Sequence, residues 1–313
     1  FAGGQDLSVF CSIRLGIVHG KYFKNEMRNL LLRTIAEAKH ADRYVIYDEK
    51  TDQRARRKLR MRDALIQCVH NDMQGFSVHY QPIVEADGGR WTALEALCRW
   101  TMPNGEGVSP AAFIPIAEQL GLIGEVDAWV RQQAMQQCVA LGLEKKQFML
   151  SLNYSPIQRI DETFIQELQR ALSSAGYPAN KLNLEITENE KMLFDEESMA
   201  GLEHIAQLGV KFSLDDFGTG YSSLKNLMKI PAANVKIDKL FLDDVQGDPF
   251  RQQLLKMLAM LSKQLGMLLV AEGVETEEQC QLLKDYGVDF MQGYLFSRPL
   301  SYQELQKNVY RFD

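Results

Sequence analysis

Seven of the strands that can be predicted in this chain end on an acid, an amide or a lysine. These residues are Glu95, Asn153, Glu185, Asp215 with Asp216, Lys236 with Asp238, Glu272, and Gln292. Because active sites of parallel barrels gather at the carboxyl ends of their strands, we expect these side chains to lie close together. A buried cluster of carboxylates repels itself unless positive charge lies within it. The pattern therefore predicts a cation site.

The expected ligands are all oxygens, which suit a hard divalent cation such as Mg²⁺ or Mn²⁺. Histidine ligation is not expected, because four histidines lie outside the strand ends and His79 lies within the first predicted strand. The adjacent Asp215 and Asp216 can bridge two ions, and two ions roughly 3.5–4 Å apart promote in-line attack of water on a phosphodiester. The glycine-rich segment FGTGYSS (217–223) is predicted to be a mobile element beside them.

Eight strand-like runs with helical patterns between them predict the fold. The runs are 76–84, 91–97, 148–153, 182–187, 210–215, 234–238, 267–271 and 288–292, and the helical stretches include 111–120, 126–141, 162–175 and 249–265. This alternation, over about 235 residues, is typical of an α/β (β/α)8 TIM-type barrel. Only Glu85 to Arg90 separate the first two runs, which suits a hairpin and is too short for a parallel crossover. We therefore predict a modified barrel with an antiparallel first strand.

The composition limits the class of protein. The chain has 313 residues, of which 46% are hydrophobic, and a net charge of −6. That charge argues against a general nucleic-acid binder. The five cysteines fit neither a disulfide framework nor a zinc pattern, which favours a reducing compartment. Without a signal peptide or an apolar span, a cytoplasmic location is expected for this portion. A chain that begins at Phe1 suggests a longer protein, for which a membrane anchor stays an open alternative.

A basic segment, KTDQRARRKLRMRD (50–63), has two interpretations. One is a nucleic-acid or lipid-binding patch, and the other is a solvated helical connector. No aromatic residue interrupts the basic run, and Leu59, Leu65 and Val69 continue a helical stripe. We therefore predict a helical connector over residues 51–74.

An ordered series of motifs resembles the EAL-domain family of cyclic-di-GMP phosphodiesterases. The motifs are Glu95-Ala96-Leu97 within LEALCRW, FIPIAEQLGLI (113–123), LSLNYSP (150–156), LEITENE (184–190), LDDFGTGYSSL (214–224), VKIDKLF (235–241), VAEGVET (270–276) and MQGYLFSRPL (291–300). The resemblance extends over residues 59–308 and assigns residues 75–313 to a barrel of this family. It also implies an antiparallel first strand, in agreement with the hairpin inferred above.

The resemblance implies hydrolysis of cyclic-di-GMP to linear pGpG with two Mg²⁺ or Mn²⁺ ions. The implied metal ligands are Glu95, Asn153, Glu185, Asp215, Asp216 and Glu275, with Asp215 bridging. The implied catalytic residues are Lys236 for the water or phosphate charge, Glu272 as general base or additional ligand, and Glu188 as anchor of the DDFGTG loop. The implied substrate-binding residues are Gln81, Leu97, Arg99, Asp238 and Gln292. The family also suggests a homodimer through the barrel.

Residues 1–50 resemble the last third of a GGDEF domain, through SIRLGIVHG and LLLRTIAEAKHADRYVIYD. Such domains make cyclic-di-GMP and often precede EAL domains, so an upstream sensory or GGDEF region is expected in a longer protein. The fragment lacks the nucleotide loop and the metal acids, and no cyclase activity is expected from it. An ordinary αβ extension packed on the barrel is the alternative.

Two other functions fit parts of the pattern. A catalytically silent receptor would bind cyclic-di-GMP and signal by a change of conformation. A barrel enzyme of another class would stabilise an enolate with Mg²⁺ or form a Schiff base at Lys236. A Schiff-base lysine needs a desolvated, largely apolar pocket, whereas this lysine is expected among acids. The order of the motifs favours the phosphodiesterase.

Overall fold

The structure is a computed structural model, and it describes residues 15–17, 44–46, 49–155, 157–187, 196–218 and 230–312. The chain divides into two compact units, Phe1–Gln67 and Cys68–Asp313.

The first unit contains a short parallel pair of strands, β1 (Leu15–Ile17) and β2 (Tyr44–Ile46). Helix α1 (Glu49–His70) follows β2 in the chain and contains the basic segment. The helix expected to end near Lys39 lies outside the described residues. The GGDEF-like fragment and the boundaries of the connector therefore stay predictions.

The second unit is built on a closed eight-stranded barrel. Its strands are β3 (Phe76–Glu85), β4 (Trp91–Thr101), β6 (Met149–Tyr154), β7 (Leu182–Thr187), β8 (Lys211–Phe217), β9 (Asn234–Ile237), β10 (Leu268–Ala271) and β11 (Phe290–Met291). The strands follow one another around the barrel in the order β3, β4, β6, β7, β8, β9, β10, β11, and β11 pairs with β3 to close it. A two-residue strand, β5 (Gly107–Val108), extends the sheet beside β4.

The first barrel strand runs antiparallel to both of its neighbours. Strand β3 pairs antiparallel with β4 and with β11, whereas the other barrel pairs are parallel. The turn between β3 and β4 is closed by hydrogen bonds from Glu85 N to Arg90 O (3.0 Å) and from Gly89 N to Glu85 O (3.1 Å). The predicted α/β barrel with an antiparallel first strand is therefore confirmed.

Helices separate most of the parallel strands. They are α2 (Pro110–Leu120), α3 (Ile123–Ala140), α4 (Glu162–Ala175), α5 (Glu196–Gln207), α6 (Pro249–Gln264) and α7 (Glu277–Asp285), and a last helix, α8 (Tyr302–Lys307), follows β11. Local sequence sets their ends. In α4, Asp161 accepts a hydrogen bond from Phe164 N at the start, and Gly176 adopts a left-handed conformation at the end.

Alternation along the strands separates the core from the site. In β7, the first five residues are buried, which means that both faces of the strand are covered. The odd-numbered Asn183 and Glu185 bond to other strands within the barrel, whereas Leu182, Leu184 and Ile186 occupy the opposite face. The barrel interior of this strand is therefore polar, and its apolar residues face the helix layer.

Two expectations from composition can be compared with the described residues. Among them, no helix has both the length and the apolar character needed to cross a membrane. Cys68, Cys98, Cys138 and Cys280 are free thiols.

Candidate active site

Lys236 lies at the centre of the carboxylates that the sequence placed at the strand ends. It comes from β9, is 1% exposed, and its side chain points into the barrel mouth. Its Nζ lies 2.5 Å from Glu272 Oε1, 2.6 Å from Glu185 Oε2, 3.5 Å from Asp215 Oδ1 and 3.6 Å from Glu95 Oε2. Burial lowers the pKa of this lysine, but the four carboxylates outweigh that effect and raise it well above its usual value. The lysine is therefore a fixed positive charge.

Glu95 is held by neutral donors as well as by the lysine. Asn153 Nδ2 donates to Glu95 Oε1 (2.8 Å), and Gln292 Nε2 donates to Glu95 Oε2 (2.7 Å). Burial acts to raise the pKa of Glu95, but Lys236 and the two amides outweigh it and lower the pKa. Glu95 is therefore ionised, and it is oriented by Asn153 from β6, Lys236 from β9 and Gln292 from the residue after β11.

The other acids carry more negative charge than one lysine can neutralise. Burial raises the pKa of Glu272 to about 8 and that of Asp216 to about 6, and it raises the pKa of Glu185 well above the usual value. Repulsion from Asp215 adds to each of these shifts. A bound cation would remove this repulsion, so the donor set fits one or more divalent metal ions.

Asp215, Asp216 and Glu272 form the group best placed to share a metal ion. One oxygen from each lies within 4.8 Å of the others. Asp216 adopts a left-handed conformation with φ of 53°, which is unusual for a residue other than glycine, and its N–H donates to Asp215 Oδ1 (3.0 Å). This strained backbone lets two consecutive carboxylates face the same site, which a regular strand would send to opposite faces.

Three of the predicted substrate-binding residues lie on the two antiparallel strands beside this cluster. Gln81 is the register partner of Glu95, and its Nε2 donates to Ser297 O (3.2 Å). Leu97 and Arg99 follow Glu95 on the same face of β4 and line a cavity between the ends of β4, β6 and β7 and the helices α2 and α3. A half-buried guanidinium in this place can donate two hydrogen bonds to one phosphate.

Three other predicted residues are engaged elsewhere or lie outside the described residues. Asp238 Oδ1 accepts a hydrogen bond from Leu240 N (2.7 Å) and caps a short 3-10 helix. Glu275 is exposed and forms an ion pair with Lys239 at 2.5 Å. Glu188 is not among the described residues. The roles implied for these three residues stay predictions.

The cavity between these strand ends and the helices α2 and α3 is also lined by an acid that the sequence analysis did not single out. About 330 Å³ in volume, it runs from Glu95 and Asn153 to Asp127 on α3. Asp127 accepts a hydrogen bond from Gln158 Nε2 (2.5 Å), and burial raises its pKa to about 7 although Arg131 opposes this. The signal available in the sequence was the place of Asp127 on the apolar face of this helix, four residues after Ile123 and three before Val130.

Gln292 is positioned by a close backbone approach at the next residue. A Cβ atom on Gly293 would overlap the backbone N and O of Val274, and Val274 N donates to Gln292 O (3.0 Å). We expect Gly293→Ala to lower the free energy of unfolding by about 1–3 kcal/mol or more, because the backbone of Val274 cannot move aside cheaply. Urea denaturation of both proteins measures this loss.

Gly107→Ala is the matched control for this substitution. A Cβ atom on Gly107, in β5, would have no neighbour within 4 Å. We expect this variant to keep the wild-type denaturation midpoint or to exceed it slightly, since alanine restricts the unfolded chain. Equal midpoints for the two variants would show that the contact between Gly293 and Val274 does not constrain the fold.

Comparison with protein families and curated proteins gives a consistent result. The EAL domain profile matches residues 61–299. The cyclic di-GMP phosphodiesterase NbdA of Pseudomonas aeruginosa is 35% identical over 263 residues, which is 83% of this chain and 33% of NbdA. The probable cyclic di-GMP phosphodiesterase PdeG of Escherichia coli is 37% identical over 231 residues, 74% of this chain and 46% of PdeG. The chain thus spans between a third and a half of the length of these relatives.

Solved structures with the same fold include two with bound dinucleotide. The EAL enzyme Bd1971 in its cAMP- and cyclic-di-GMP-bound form superposes with a TM-score of 0.76 and 29% identity, covering 90% of this chain and 74% of that one. The PaMucR phosphodiesterase in complex with c-di-GMP gives a TM-score of 0.72 and 33% identity, covering 79% of this chain and 99% of that one.

Proposed function

Since this chain belongs to the EAL domain family, we propose that it is a metal-dependent phosphodiesterase that hydrolyses cyclic-di-GMP to linear pGpG. The observation that carries the proposal is the buried Lys236 in contact with four carboxylates, beside the group formed by Asp215, Asp216 and Glu272. A cluster of this charge suits a substrate whose reacting group is a phosphate bound together with cations. Relatives named as cyclic di-GMP phosphodiesterases support the choice of substrate.

The metal ions would be held by oxygen ligands of four neighbouring strands. The proposed ligands are Glu95, Asn153, Glu185, Asp215 and Asp216, with Asp215 shared, Glu272 as an additional ligand or the general base, and Glu275 in a supporting place. Mg²⁺ or Mn²⁺ bound there would lower the pKa of a water molecule and neutralise charge on the phosphate.

The remaining residues bind the phosphate and move the proton. Arg99 donates to a non-bridging oxygen, and the Lys236 ammonium stabilises the negative charge that develops during attack. The water oxygen bonds to phosphorus, the bond from phosphorus to the 3′ oxygen breaks, and one water proton passes to Glu272. The leaving 3′ oxygen takes a proton from solvent. Product with a 5′ phosphate is the result, as the name pGpG requires.

Further proposals concern the rest of the ligand and the longer protein. Gln81, Leu97, Asp238 and Gln292 would contact the dinucleotide outside its reacting phosphate, and Glu188 would anchor the loop that follows Asp216. We further propose a cytoplasmic location, a homodimer through the barrel, and an upstream sensory or GGDEF region, of which residues 1–50 would be the end.

The test is a product assay with the purified chain. Incubation with cyclic-di-GMP and Mn²⁺ or Mg²⁺ should give pGpG by ion-exchange chromatography, and an excess of chelator should abolish it, because the acids would lose their cations. Equilibrium dialysis with labelled cyclic-di-GMP runs in parallel. If the chain binds cyclic-di-GMP but makes no product, it is a receptor. If it shows no binding and no product, the proposed substrate is wrong.

A further inference from the structure

A continuous row of polar side chains crosses the barrel interior beneath the carboxylates. Asn234 Nδ2 donates to Ser213 Oγ (3.1 Å), Ser213 Oγ donates to Asn183 Oδ1 (3.0 Å), and Asn183 Nδ2 donates to Ser151 Oγ (2.9 Å). Ser151, Asn183 and Ser213 are at most 3% exposed. These four residues, called the polar belt below, connect β6, β7, β8 and β9 in that order.

Each member of the polar belt lies two residues before a residue of the candidate site on the same strand. The pairs are Ser151 with Asn153, Asn183 with Glu185, Ser213 with Asp215, and Asn234 with Lys236. Residues two apart on a strand share a face, and their Cα atoms are about 6.5 Å apart. The polar belt therefore forms the layer directly under the metal-binding layer.

The chemistry of this layer is unusual for the interior of such a barrel. Barrel interiors are generally filled with bulky branched apolar residues, which cost nothing to bury. The three buried members, Ser151, Asn183 and Ser213, must keep their hydrogen bonds, because an unpaired buried amide or hydroxyl is expensive. A fully paired network in return fixes one arrangement of its members. The polar belt therefore lacks the apolar packing of an ordinary barrel interior, but its hydrogen bonds fix the positions of four strands relative to one another.

We infer that the polar belt consists of positioning residues that aim Asn153, Glu185, Asp215 and Lys236 at the bound metal ions. This inference rests on the proposed function, since the metal ions belong to it. Ser213 is the central member, because its hydroxyl both donates to Asn183 and accepts from Asn234. Without that hydroxyl, β8 loses its side-chain hydrogen bonds to β7 and β9 in this layer, and Asp215 one step above is held only by the backbone ladder and by Lys236.

The test is a graded series of serine-to-alanine variants of the whole chain. Ser213→Ala removes two hydrogen bonds, and Ser151→Ala removes one at the end of the row. The matched control is Ser262→Ala, because Ser262 is also buried but donates only to Leu258 O (3.0 Å) within α6. The measurements are the Mn²⁺ dissociation constant by calorimetry, the thermal midpoint of the metal-free chain, and kcat and KM with cyclic-di-GMP.

For Ser213→Ala we expect Mn²⁺ affinity to fall about 10- to 100-fold, the size seen when groups that orient metal ligands are removed. The reduction should be smaller for Ser151→Ala and absent for Ser262→Ala, and kcat should fall with little change in KM. If Ser213→Ala does not fold, the Mn²⁺ affinity of Ser151→Ala tests the inference instead. If the wild type makes pGpG but Ser213→Ala and Ser151→Ala bind Mn²⁺ as tightly as Ser262→Ala does, the inference about the polar belt is wrong and the proposed function stands. A wild type that binds Mn²⁺ but makes no pGpG would refute only the proposed function, and one that binds no Mn²⁺ would overturn both.

Discussion

Asp215→Asn is expected to fold normally and to lose turnover of cyclic-di-GMP by about 100- to 1,000-fold, the size typical of removing one group that stabilises charge in a transition state. Asp215 is the acid that approaches both Lys236 (3.5 Å) and the neighbouring Asp216. The amide has nearly the same shape, but it has no charge and offers a single oxygen to a cation. Product formation by chromatography measures the loss.

Metal binding separates a chemical defect from a folding defect in this variant. The thermal midpoint of the wild type should rise with Mn²⁺, because a ligand that binds only the folded state stabilises it, and this rise should shrink in Asp215→Asn. Asp161→Asn is the matched control, since asparagine keeps the N-cap of α4 and the site is untouched. Turnover of Asp215→Asn within tenfold of the wild type would exclude a central role for this carboxylate.

Lys236→Met is expected to lower the free energy of unfolding by about 3–5 kcal/mol in the presence of chelator, the usual cost of leaving buried charge without its partner. In this variant four carboxylates lose the ammonium group of Lys236 that they share, and one of them, Glu185, is only 1% exposed. Mn²⁺ should recover part of the loss. The loss should also be smaller at pH 5 than at pH 8, because burial has raised the pKa of Glu185 and Glu272, and protonation removes the unpaired charge.

Lys239→Met provides the control at the same barrel end. Lys239 also forms an ion pair at 2.5 Å, with Glu275, but both side chains are well exposed. Exposed pairs contribute little, so the denaturation midpoint should be nearly unchanged. A Lys236→Met variant as stable as Lys239→Met would show that the acids around Lys236 are protonated in the metal-free fold.

Local sequence predicted the barrel well because strand pattern and loop length carry most of the information. The short connection after Glu85 led to the antiparallel first strand, and predicted strands coincide with observed ones to within a few residues. Strand β4 continues beyond the predicted Leu97 to Thr101, because its residues up to Trp100 pair with the start of β3 and Thr101 pairs with the unpredicted β5. Helix α3 begins at Ile123, earlier than predicted, since left-handed Gly121 ends α2 and lets a new helix start at once.

Residue types at strand ends predicted which side chains would gather, but not how they would be arranged. That Lys236 lies among Glu95, Glu185 and Glu272 depends on strand order around a closed barrel, which no single segment specifies. The polar belt was missed for the same reason, because serines and asparagines within strands look unremarkable until their neighbours are known. Asp127 was missed because α3 presents it to the cavity from outside the strands.

The seam that closes the barrel has a consequence for the order of folding. Strand β11 joins β3 through two register pairs, Phe290 with Glu85 and Met291 with Val84, and an isolated bridge between Tyr80 and Leu300 adds to this short seam. Pairing of residues more than 200 positions apart loses more loop-closure entropy than pairing of strands that follow one another in the chain. We therefore expect this seam to form last and to open first. Gln292, which follows β11 directly, carries the bond to Glu95. A brief opening of the seam would therefore dismantle one wall of the site while most of the barrel stays folded.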